Sequence, residues 1–220
     1  MTITIDKTLK DKLPDLILGG FITEVNVNEA TPDLLNLLDD EVKKLEQIHS
    51  PESIREMSTV KANKNAYRTL GKDPNRYRPA AEALLRRVAN GKGLYHINNV
   101  VDILNLISVK TGFSICGYNY NAIQGEVMMG IGEENEPYQG IGRGDVNIEK
   151  LPVFRDEQGA FGNPTSDSTR TMVTDDTQRF LMIIIGFEGK EPIDKALDEA
   201  KGLLAKFAGG KELERFYIGV

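Results

Sequence analysis

Three polar side chains interrupt an otherwise apolar run. In INNVVDILN, residues 97–105, Asn98, Asp102 and Asn105 are spaced i, i+4, i+7, which stacks them on one face of a helix. Val100, Val101, Ile103, Leu104, Leu106 and Ile107 surround the stripe, so this helix should be buried on most sides. Unpaired polar groups are costly to bury. The stripe therefore has fixed partners, lines a pocket, or is the one wet edge of the helix.

Three further stretches carry residues able to do chemistry. GIGEENEPYQGIGRGD (130–145) holds two Gly-Ile-Gly turns. Around Gly140 and Gly142 the backbone can approach a ligand closely, and successive N–H groups can form an anion nest; tight hairpin turns are the plainer reading. The spacing is neither G-x-G-x-x-G nor a P-loop. FGNPTSDSTRT (161–171) gathers Thr165, Ser166, Asp167, Ser168 and Arg170. Its hydroxyls and acid suit a sugar or phosphate, and Arg170 can fork onto an anion. Ser, Thr and Asp equally satisfy their own backbone in a capped turn. Cys116, with His96 as a possible base, is the nucleophilic candidate, against the alternative of a small core residue. No G-x-S-x-G, H-E-x-x-H or C-x-x-C occurs.

The elements that must position these residues follow a clear order. LILGGFITEVNV (16–27) reads as a strand. Thr31–Pro32–Asp33, Ser50–Pro51–Glu52 and Asp73–Pro74 read as helix starts, the last leading into AAEALLRRVA. The first of these helices carries Leu34, Leu38, Val42, Leu45 and Ile48 as its apolar stripe. The INNVVDILN helix follows and stops at Thr111–Gly112. Residues 113–187 are rich in Gly, Asn and β-branched types, with strands expected near 113–119, 122–131, 151–154 and 180–187. A last amphipathic helix carries Ile193, Leu197, Ala200, Leu204 and Phe207 and closes at Gly209–Gly210. This pattern predicts an α+β fold in one domain over 1–220.

The bulk numbers exclude several classes. A chain of 220 residues with 40% hydrophobic and 27% charged residues can bury a core without staples. The N-terminus lacks a signal-peptide pattern, and no apolar run approaches the ~18 residues that span a bilayer, so no membrane partner and a cytoplasmic location are expected. One cysteine and two histidines cannot build a usual zinc site; no metal and no cofactor are expected. The net charge is −6, yet residues 61–92 hold nine basic and two acidic residues, a local +7 that leaves −13 elsewhere. Lys61, Lys64, Arg68, Lys72, Arg76 and Arg78, interleaved with Tyr67 and Tyr77, suit a polyanion with unpaired bases. The alternative is a helix pair neutralised by acids of the same protein.

The segment INNVVDILNLISVKTGFSICGYNYNAI (97–123) resembles the B3/B4 domain of the bacterial phenylalanyl-tRNA synthetase beta chain. The likeness is close over 97–123 and extends more loosely over 60–187, through Gly-rich turns and a D-x-x-G step at Asp156–Gly159. It implies a B3/B4-like fold with N-terminal helices, a central set of short, mostly antiparallel strands and a closing C-terminal helix. On this reading 1–60 is an N-terminal extension, 61–187 the family-like core and 188–220 the C-terminal helix.

The resemblance also implies a function. The synthetase domain hydrolyses the ester of wrongly charged aminoacyl-tRNA, so a free-standing version is expected to be a trans-acting deacylase that binds the acceptor end of tRNA, not a ligase and not a DNA-binding protein. Asn105 coincides with a polar residue of the editing pocket. Asn98, Asp102, Tyr118, Gly140, Gly142, Ser166, Ser168 and Arg170 are expected to bind substrate, and Asn105, Cys116 and Asp167 to carry chemistry. Three departures stand out. Leu104 replaces the usual Thr, Cys116 replaces a histidine, and the strand LMIII (181–185) lacks the Glu that recognises a tyrosine hydroxyl, which argues against tyrosine as substrate. A non-catalytic RNA-binding module and an amino-acid-like small-molecule binder are the rival readings.

Overall fold

The computed structural model describes all residues, 1–220. Its centre is an antiparallel sheet of β2 (Ile17–Glu24), β3 (Ser114–Asn119), β9 (Arg179–Gly186) and β10 (Lys211–Ile218), in the order β10-β2-β9-β3. After the short helix α1 (Lys7–Lys12), helices α2 (Pro32–Ile48), α5 (Ala80–Ala89), α6 (Asn99–Thr111) and α7 (Lys190–Ala208) pack against one face. Phe21, Phe180, Met182 and Ile184 meet Leu38, Leu85, Ile103 and Leu197 there in the largest core cluster. The other face, through Leu18, Leu181, Ile183 and Ile185, packs on a second sheet. That sheet contains β1 (Ile3–Ile5), β4 (Val127–Ile131), β7 (Pro152–Asp156) and β8 (Gly159–Gly162), ordered β1-β4-β7-β8. Only β1 and β4 pair in parallel; every other pairing is antiparallel. The fold is α+β: a helical layer, a central sheet and a smaller sheet.

Local chemistry explains most element ends. Thr31 and Ser50 cap α2 and α3 (Pro51–Glu56), each followed by Pro at the first position. Gly112 and Gly209 take left-handed conformations after α6 and α7, which glycine adopts without a Cβ penalty. Three expectations are corrected. Asp73–Pro74 starts no helix, because the Asp73 carboxylate accepts the Asn75 N–H in a turn; α5 begins six residues later, after Pro79. Ile48 does not share the buried stripe of α2 and is 67% exposed. The chain also continues beyond the closing helix α7 into β10, which pairs with β2 along its length.

The segment 61–92 spans most of α4 (Ser58–Thr69), a turn and α5. Its helices present two faces, so its cations divide between the core and the surface, which the linear charge count could not show.

Candidate functional site

The polar stripe of α6 splits in two. Asn98 is the helix N-cap, its side-chain oxygen accepting the Val101 N–H at 2.9 Å. One Asp102 oxygen accepts the Ile97 N–H at 2.8 Å, so both residues spend hydrogen-bonding capacity on the helix start. Asn105, one turn on, opens into a cleft of about 500 Å³ together with Ala80, Leu84, Tyr95, Arg143 and Thr165, and with the cations Arg86, Arg87 and Lys92.

The cleft is electropositive by construction. Glu82, 1% exposed, pairs with Arg86 at 2.9 Å and with Lys64 at 3.4 Å. Arg87, Lys92 and Arg143 have no carboxylate partner in any ion pair. Arg87 lies over the Tyr95 ring, 3.9 Å from its centroid, a cation–π contact that fixes both side chains at the rim. Cations left unpaired in this way attract negative charge to the cleft.

Thr165 reaches the cleft because its loop is bound on all sides. Asn163 accepts the N–H groups of Thr165 and Ser166, and the Thr165 hydroxyl sits 2.8 Å from the buried Tyr67 hydroxyl. Arg143 is carried by a hairpin of β5 (Gln139–Gly140) and β6 (Gly144–Asp145). This hairpin is tied to the loop by the Ile141 N–H donating to the Asp167 carbonyl and by a bridge between Gly140 and Ser168. Gly142, at the hairpin tip, takes φ +67°.

Asp167 stands at the open edge of β3, where one carboxylate oxygen accepts the Gly117 N–H at 3.2 Å. Its other oxygen is enclosed without a hydrogen bond, as is the nearby Tyr118 hydroxyl. Burial pushes the Asp167 carboxyl up to about 7, against the pull of the Gly117 N–H. Cys116 and Tyr118 share the face of β3 turned to the second sheet, and burial raises both well above their ordinary values. Gly162 leaves room for Tyr118: a Cβ there would fall 1.8 Å from the Tyr118 hydroxyl.

The remaining expected residues are placed as follows. His96 lies beside Asp102, its Nδ1 3.8 Å from the carboxylate, while Cys116 is 1% exposed in the core beneath the sheet. The two do not form a thiol–imidazole pair. Arg170 is forked onto Asp156 by two bonds of 3.0 and 2.8 Å, so its guanidinium is committed within the protein. The Ser168 hydroxyl caps the following turn by accepting the Arg170 N–H. Ser166 stays half-buried next to the cleft-lining Thr165. In the basic segment, Lys64 turns inward to Glu82, and Lys72, 7% exposed, donates to Asn147 and to the Glu149 carbonyl at 2.6 Å. Lys61 pairs with Glu56 at 2.6 Å, and Arg78 approaches Glu82 at 3.9 Å. Arg68 and Arg76 remain on the surface. Sequence reasoning named Thr165 among the hydroxyls of its loop but did not single out Arg143 or Tyr95 as walls of the cleft. A lone cation inside the glycine-rich loop was the available signal for Arg143.

A search of curated proteins returns no match. Among solved structures, the chain is similar to an N-terminal fragment of the phenylalanyl-tRNA synthetase beta-subunit from Pyrococcus horikoshii. That similarity has 15% identity and a TM-score of 0.48, covering 99% of this chain and 50% of the fragment; the chain thus spans about half the length of that fragment. The family model described as the B3/4 domain matches residues 62–209, from within α4 to the glycine that ends α7. With two thirds of its length inside that match, including the cleft and the strand edge beside it, the chain belongs to the B3/4 domain family.

Proposed function

We propose that this protein binds the aminoacylated acceptor end of a tRNA in the Asn105 cleft and hydrolyses the ester linking amino acid to ribose. The observation that carries the reading is the cleft itself. Its volume, about 500 Å³, suits a nucleotide-sized ligand, and Arg87, Lys92 and Arg143 lie there without acidic partners. These cations hold backbone phosphates, and the Tyr95 ring offers a stacking surface for an unpaired base. The Asn105 amide orients the ribose or the aminoacyl group.

The chemistry demanded is modest. An aminoacyl ester is already activated, so the protein places a water and stabilises the oxyanion with N–H donors, while the vicinal ribose hydroxyl assists proton transfer. Asp167, at the β3 edge two residues beyond Thr165, has a carboxyl pushed up to about 7 by burial but does not itself line the cleft. The thiol of Cys116 takes no part, since burial keeps it protonated. Tyrosine is disfavoured as the esterified residue, because the buried strand LMIII offers its hydroxyl no acceptor.

A second reading, binding without turnover, is favoured by one observation: the Asp167 carboxyl and the Cys116 thiol are both enclosed. A panel of tRNAs charged with matched and mismatched amino acids separates the two. Ester loss above the uncatalysed rate for one or a few mischarged species, reduced about tenfold or more by Asn105→Ala, is the expected result. Intact esters across the panel with tRNA still bound would leave only the binding reading.

A further inference from the structure

The other half of the α6 stripe faces a different pocket. A cavity of about 260 Å³ lies at the N-terminal end of α6, lined by Glu29, Ala30, Leu35, His96, Ile97 and Asp102; none of these lines the Asn105 cleft. Its character is opposite to that of the cleft: two carboxylates and one imidazole, with no lysine or arginine.

Asp102 makes this pocket unusual. The residue is 1% exposed. Its role at the helix start accounts for one oxygen only, the acceptor for the Ile97 N–H. The second oxygen is buried and has no hydrogen-bond partner, and the His96 Nδ1, 3.8 Å away, is past hydrogen-bonding distance. A buried carboxylate oxygen without a partner is costly, and burial accordingly raises the Asp102 carboxyl. The amide end of α6 prefers anions; Asp102 supplies the negative charge there, and Asn98 is a neutral cap. Apart from His96, which can pair with it only when protonated and only at 3.8 Å, the second oxygen has no cationic donor.

We infer that this pocket is a binding site for an organic cation, a primary ammonium or guanidinium group on a short alkyl chain. Asp102 and Glu29 meet the cationic head, with a charge-assisted hydrogen bond to the free Asp102 oxygen. Ala30, Leu35 and Ile97, the last 60% exposed, cover the alkyl stem, as apolar surface does for lysine and arginine stems elsewhere. The volume limits the ligand to about the size of one such side chain. No group of three His, Cys, Asp or Glu side chains is spaced to hold a metal ion, which separates this site from a cation centre of the metal type. The ligand can be a free alkyl amine or the lysine or arginine side chain of a polypeptide. The site is independent of ester hydrolysis and would stand if that reading failed.

The test is calorimetric titration of the full chain with n-butylammonium, n-butylguanidinium and a blocked tripeptide, acetyl-Gly-Arg-Gly-amide. Saturable binding is expected, weakened about tenfold or more by Asp102→Asn, which keeps the oxygen that serves the Ile97 N–H but replaces the free acceptor by a donor. Because Asp102 also supports the helix start, Glu29→Gln, at an exposed position, provides a second variant expected to weaken binding without loss of fold. Magnetic resonance of the His96 ring should shift on titration of the wild type. Tighter binding of the tripeptide than of the alkyl cations assigns the source as a protein side chain; the reverse assigns a free amine. Lack of saturation with all three probes, or equal affinities in the wild type and both variants, would overturn the site.

Discussion

Asp167 shows how a single residue's role depends on its enclosure. In the linear sequence it is one acid amid hydroxyls; in the fold its carboxyl closes the open edge of β3 against Gly117. Burial lifts that carboxyl from 3.8 to about 7, so the native state keeps a proton that the unfolded chain releases near pH 4. The native state therefore binds more protons than the unfolded state between these values, and stability falls as pH rises from about 4 to about 7. Asp167→Asn removes this dependence. Chemical denaturation at pH 5 and pH 8 should show the variant more stable than wild type at pH 8, by up to a few kcal/mol, with a flatter pH profile. Parallel profiles for the two proteins would contradict the assignment. The same enclosure applies to Cys116, the nucleophile candidate of the sequence, which is buried in the core formed by the two sheets.

Helix α6 carries the lesson at the scale of the element. Period and composition marked it as buried on most sides, but left open whether the polar stripe has fixed partners, lines a pocket or is a wet edge. The stripe's three members nonetheless do three things: Asn98 caps, Asp102 supports the helix start and faces the small acidic pocket, and Asn105 faces the cationic cleft. Asn98→Ala should cost about 1 kcal/mol of stability, the usual loss on removing an N-cap acceptor, measured by urea denaturation. It should leave tRNA affinity unchanged, whereas a substrate-binding role would lower affinity at constant stability. Strand alternation did similar hidden work in β3, where Cys116 and Tyr118 turn to the second sheet and Gly117 to α6, its Cβ position lying 2.5 Å from Leu104. The alternation is written in the sequence, but which face meets which layer is not.

For the whole molecule the decisive quantity is where charge is left unpaired. Of the basic segment, Lys64, Lys72 and Arg86 are consumed by contacts inside the protein. The cleft gains Arg143 from a hairpin more than fifty residues away in the chain. Three unpaired cations on single-stranded RNA should give a slope of log affinity against log salt of roughly −2, and Arg143→Ala should reduce its magnitude by about 0.7. Filter binding across a salt series measures both. A slope near zero would mean that phosphates are not held in the cleft.

Elements whose chemistry is local are legible in the residues alone. Caps at Thr31 and Ser50, stops at Gly112 and Gly209, the apolar stripes of α2 and α7 and the α+β order all rest on interactions within a few residues, so residue type and spacing suffice to read them. The same holds for the charge imbalance of 61–92 as a total. Long-range packing settles which of those charges remain free, brings Asn105, Thr165, Arg143 and Arg87 to one cleft, and turns Asp102 to another. The strand β10 that follows α7 and pairs with β2 was settled in the same way. These outcomes depend on contacts between segments distant in the chain, and a local pattern carries no information about which buried side chain finds a partner and which is left without one.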